Sequence, residues 1–124
     1  MRLTEALQRA HLRVTAPAEA MLSLRDFLPL QLRWRITRRH LVAAAESIRQ
    51  QSNSPEVQRC IAEYFEFLDH NELECALHML EYACESFTPS RGTFELLAVA
   101  AESMKLRDRA SALRRLSNAT ENAS

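Results

Sequence analysis

Glycine is almost missing, with Gly92 the single example in 124 residues. β-Rich domains use glycine in hairpin turns, and dinucleotide- and phosphate-binding loops use it for close backbone approach, so its scarcity argues against both. Cysteine is limited to three residues, an odd number without paired spacing. That argues against a disulfide framework and fits a reducing compartment. Long apolar runs are lacking as well. Arg2, Glu5, Gln8, Arg9, His11 and Arg13 interrupt the first 14 residues, which therefore form no signal-peptide core, and no window has the length of a membrane-spanning helix. The expectation is a cytoplasmic protein. Asn118-Ala119-Thr120 and Asn122-Ala123-Ser124 then read as polar, frayed tail residues rather than glycosylation sites.

What is present is a chain 47% hydrophobic and long enough to bury a core without disulfides or metal. Sixteen basic and 16 acidic residues cancel to zero net charge, but not locally. Residues 1–50 hold nine arginines against four acids, residues 51–104 two arginines against ten acids, and residues 105–124 five bases against two acids. Blocks of +5, −8 and +3 can attract one another within or between subunits, or present an acidic face to a basic partner.

Apolar periodicity and capping residues predict helices over 4–14, 17–28, 30–50, 55–69, 71–87, 90–104 and 106–117. The expected fold is all-α, a compact bundle of six or seven short helices built from antiparallel hairpins. It forms a single domain over 1–124, with a basic segment (1–50) and an acidic two-hairpin unit (55–117) as natural sub-units on either side of Ser52-Asn53-Ser54. Ser54-Pro55 and Thr88-Pro89 each read as a capping hydroxyl followed by proline at the first helical position. Val57, Cys60, Ile61, Tyr64, Phe65 and Leu68 form one stripe. Asn71 reads as the cap of the next helix with Glu74 completing a capping box. Leu73, Ala76, Leu77, Leu80, Ala83, Cys84 and Phe87, widened by Cys75, Met79 and Tyr82, make that helix the expected centre of the fold. The stripe Leu106, Ala110, Leu113 and Leu116 closes the chain. The 34 residues between the two Ser/Thr-Pro pairs match the period of tetratricopeptide helical pairs, although Tyr64 stands where those repeats use a small residue.

No constellation points to catalysis: there is no glycine-rich loop, no serine-turn nucleophile and no histidine with an evident partner. Cys75 and Cys84 are too far apart on one helix for a bond or a shared ion, and the thiols read as small hydrophobes. His70, Glu74, His78 and Glu81 share a helical face, but one such line without a second helix opposite builds no metal site, so neither metal nor cofactor is expected. Arg33, Arg35, Arg38, Arg39 and His40 cluster beside Trp34, a pattern that fits nucleic acid, yet Trp34 belongs to the apolar stripe Leu30, Trp34, Leu41, Ala45 and Ile48 and acids are at hand to pair with the arginines. The more specific feature is acidic: Glu63, Glu66, Asp69, Glu72, Glu74, Glu81 and Glu85 line the central hairpin, and a dense acidic face captures basic proteins by steering and charge pairing.

The run Ile61-Ala62-Glu63-Tyr64-Phe65-Glu66-Phe67-Leu68-Asp69-His70-Asn71-Glu72-Leu73-Glu74-Cys75-Ala76-Leu77-His78-Met79-Leu80, with Phe94-Glu95-Leu96-Leu97 and Ala100-Ala101-Glu102-Ser103-Met104-Lys105-Leu106 after it, resembles small helical immunity proteins of bacterial polymorphic and contact-dependent toxin systems, the Maf-associated immunity family in particular. The resemblance spans about residues 57–107. It implies a cytoplasmic, non-enzymatic antidote that caps a cognate toxin domain, often a basic nuclease, with the seven acids supplying part of the surface. The alternative is a tetratricopeptide-like adaptor or helical dimerisation protein, and the third reading is a nucleic-acid-binding regulator acting through Arg33–Arg39.

Overall fold

Arg38, in the first long helix, donates from Nη1 to the main-chain carbonyl of Leu68 at 2.9 Å. That bond stands level with the far end of a helical hairpin closed by only three residues, 52–54. A computed structural model describes Leu30–Ala123, with side chains as far as Thr120. The helices expected over 4–14 and 17–28 lie outside the described residues. The described chain is all-helical, without strands, and has five helices where six or seven are expected for the whole: α1 (Leu30–Gln51), α2 (Pro55–Asp69), α3 (Leu73–Cys84), α4 (Arg91–Ser103) and α5 (Arg107–Ala123). The chain divides into two compact units, Met1–Arg33 and Trp34–Ser124. Of the first, only the opening turn of α1 is described; the buried core belongs to the second.

α2 begins as its sequence dictates. The Ser54 hydroxyl accepts the Val57 amide at 3.3 Å, and Pro55 sits where no amide hydrogen is needed. Its end departs from expectation. Asn71 is not the cap of α3 but the left-handed residue that terminates α2, with φ 57°. The Glu72 amide reaches back to the Phe67 carbonyl (2.9 Å) and the Asn71 amide to Leu68 (3.0 Å), the double bond pattern of a Schellman end. Glu72 takes the cap position of α3 without a side-chain cap bond, so the Asn71/Glu74 capping box does not form. Lys105, with φ 63°, ends α4 in the same way, its own amide bonding Glu102 and that of Leu106 bonding Ala101, each at 2.9 Å. Thr88 is not a cap either. Ser90 is, accepting the Thr93 amide at 3.3 Å, and the helix starts after the buried Pro89. The caps Ser54 and Ser90 are thus 36 residues apart rather than 34. α3 stops at Cys84, short of 87, because the Glu85 and Ser86 amides bond three residues back and tighten the last turn. α5 runs on through the tail expected to fray.

One core joins all five helices across the Ser52-Asn53-Ser54 linker. Leu41, Ala44, Ala45 and Ile48 of α1 meet Val57, Ile61, Tyr64 and Leu68 of α2, Leu73, Leu77 and Leu80 of α3, Phe94, Leu97 and Ala101 of α4, and Ala110 and Leu113 of α5. α1 runs antiparallel to α4 as well as to α2. Thr37 Oγ1 and Ser103 Oγ share a hydrogen bond at one end of that seam (2.6 Å), and Ser47 Oγ and Thr93 Oγ1 share one ten residues along (2.7 Å). Gln51 closes it, donating to Thr93 Oγ1 (2.6 Å) and accepting the Ser90 amide (2.7 Å). The helices therefore alternate in direction: α2 packs on α3 and α4 on α5 as two antiparallel hairpins, and α1 lies against α2 and α4. Trp34 and Phe65, both expected on buried stripes, are 40% and 44% exposed, and Leu116 is exposed while its neighbour Ser117 is buried, donating to Glu95 at 2.9 Å. The apolar edge that Cys75 and Tyr82 add to α3 faces outward, so α3 is buried on one side only.

Candidate functional site

Residues in a helix turn through about 100° each, so Glu63, Glu66 and Asp69 step round the outer surface of α2 rather than forming a line. Glu63 ends on the side toward α3. There it joins Glu56 and, from the end of α3, Glu85 around the buried Cys60 thiol; burial chiefly raises that thiol's pKa, and the three carboxylates push the same way against Arg59. Asp69 ends on the side toward α1, where Arg38 reaches Leu68.

The turn gathers the second group. His70 is exposed, and its Nδ1 donates to the Glu66 carbonyl at 2.8 Å. That hydrogen bond foremost, then the Glu72, Asp69 and Glu66 carboxylates, raises its pKa.

The seven acids are not equivalent. Glu63, Glu66, Asp69, Glu72 and Glu85 are exposed and make no ion pair among the described residues, whereas Glu56 is paired with Arg59 at 2.7 Å. Glu81 is half-buried and tied to Arg109 of α5, which also lies 3.8 Å from Glu74. Glu81 therefore fastens α5 to α3, with Glu74 at the edge of the same cluster. Glu95 and Glu102 do the same for α4 and α5 through Arg114. Nothing in the sequence signals Arg109's role, because the two partners are 28 residues apart and the tail charge reads simply as a basic block.

Among the described residues no three His, Cys, Asp or Glu side chains come together to hold a metal. His70 is turned to its own helix end, and His78 Nδ1 lies 3.3 Å from an Arg109 nitrogen, a contact in which only the arginine can donate. All three cysteines are free; Cys60 is buried and Cys84 partly so, but Cys75 is exposed, contrary to a core role. Of the arginine cluster, Arg35 and Arg39 are exposed and Arg38 is folded onto α2. No described helix is long and apolar enough to cross a membrane. No known family model matches the sequence, and no curated protein and no solved structure matches it.

Proposed function

We propose that this chain is a non-enzymatic binding module that neutralises a cognate toxin by capping a basic domain with the outer surface of its α2–α3 hairpin. The observation that carries the reading is the contrast between its carboxylates: those toward α5 are spent on arginines, whereas Glu63, Glu66, Asp69, Glu72 and Glu85 have no ion-pair partner among the described residues and sit on a hairpin anchored in the core. Unpaired like charge on a rigid surface is destabilising in isolation and becomes favourable against a basic partner, where it raises the association rate and fixes orientation. The resemblance of residues 57–107 to Maf-associated immunity proteins adds the partner class.

The test is co-expression with the protein encoded by the neighbouring gene. Wild-type chain is expected to restore growth and to bind that protein in a salt-sensitive complex. Replacing Glu63, Glu72 and Glu85 together by Arg should abolish protection and slow association at least about tenfold at low salt. Full protection by the triple variant would refute this face as the capping surface.

A further inference from the structure

The α1–α2 face carries both charge signs around an apolar centre, and its layout fits a second copy of the same chain. The Arg38–Leu68 bond sets the level of the two antiparallel helices. One turn further along α1 and one turn back along α2, Val42 and Phe65 come level across the groove between them. Both are large apolar side chains left open, 49% and 44% exposed. At the end of the face nearer the α2–α3 turn, Arg35 and Arg39 point outward from α1, and Glu66 and Asp69 from α2. None of the four has an ion-pair partner among the described residues, so the face holds separated, unsatisfied charge of both signs.

We infer that two copies of this chain pair through this face about a two-fold axis parallel to the helices. Such an axis keeps each residue at its own level and exchanges left for right. α1 of one copy then lies opposite α2 of the other. Val42 meets the other copy's Phe65, and Arg35 and Arg39 meet its Glu66 and Asp69, twice per dimer, as an isologous interface requires. An axis across the helices would instead set α1 against α1 with its ends exchanged, and Arg35 and Arg39 would not meet Glu66 and Asp69. The charges select the first arrangement. The pairing takes Glu66 and Asp69 from the acids assigned above to the capping surface and leaves Glu63, Glu72 and Glu85 outside it, so the capping test, which changes only those three, reads out separately.

Sedimentation velocity on the full chain tests it. The expected species has twice the 14.2 kDa chain mass. Its dissociation constant should rise roughly tenfold between about 0.05 and 0.5 M salt. Phe65→Arg should be monomeric with an unchanged helical circular dichroism spectrum. Arg35→Glu with Arg39→Glu, and Glu66→Arg with Asp69→Arg, should each be monomeric alone and should form a heterodimer when mixed, because both contacts then regain opposite signs. A wild type that stays monomeric at about 100 μM, well above what a specific interface of standard size requires, overturns the inference. So does a dimer that survives Phe65→Arg, or a failure of the two charge variants to combine.

Discussion

Tyr64 offers a sharp test of how the core is arranged. Its side chain is fully buried, and its hydroxyl has no hydrogen-bond partner among the described residues. Replacing it by Phe keeps the ring and removes only that oxygen. A buried hydroxyl left unsatisfied costs about 1–3 kcal/mol, so Tyr64→Phe should stabilise the fold by about 1 kcal/mol after the small void is counted. In urea, with a slope of about 2 kcal/mol per molar, the midpoint should rise by about 0.5 M at unchanged slope. A pH arm isolates the same atom. Burial pushes the Tyr64 pKa up from 10.0 to about 12, partly offset by Arg38. Between those values the folded chain keeps a proton that the unfolded chain loses, so stability falls as pH rises from 10 to 12, by roughly 2–3 kcal/mol. Tyr64→Phe should lack that component, and the difference between the two proteins should widen through this window. A less stable Phe variant, or parallel pH profiles, would refute the claim of an orphaned hydroxyl.

The core and the surface each supply a further expected outcome. Thr93→Val should cost about 1–3 kcal/mol in thermal or urea unfolding, because it strips the buried partner from Ser47 and Gln51 while preserving shape. In the native protein one thiol per chain, Cys75, should react rapidly with a disulfide reagent; Cys84, pushed up to about 12 by burial and by Glu81, and the buried Cys60 should react only on unfolding. Three fast thiols would contradict the packing of α2 on α3.

α2 is legible in the sequence because its signals are local: a serine cap, a proline and an uninterrupted stripe all lie within one helix. Asn71 misleads for a physical reason. Asparagine both caps helices and tolerates left-handed backbone, so the end of α2 and the start of α3 compete for the same residue. Trp34, Phe65 and Leu116 read as core and Thr37, Thr93 and Ser117 do not, because a hydroxyl can be buried only if a partner arrives from another helix, and periodicity within one helix cannot see that partner. The acidic hairpin is legible as composition. Its division into paired and unpaired carboxylates depends on Arg109 and Arg114 folding back, which is a property of tertiary structure alone.

The hydroxyl seam between α1 and α4 also has a consequence in time. Thr37 must wait for Ser103, 66 residues later, and Ser47 for Thr93, 46 residues later. At about 5–20 residues per second, a ribosome leaves that edge of α1 wet for roughly 3–13 s after Thr37 is made. During that interval α1 can close on α2, because Arg38 and Leu68 are only 30 residues apart. The contact between α1 and α2 can therefore form before the seam with α4, which needs the chain as far as Ser103.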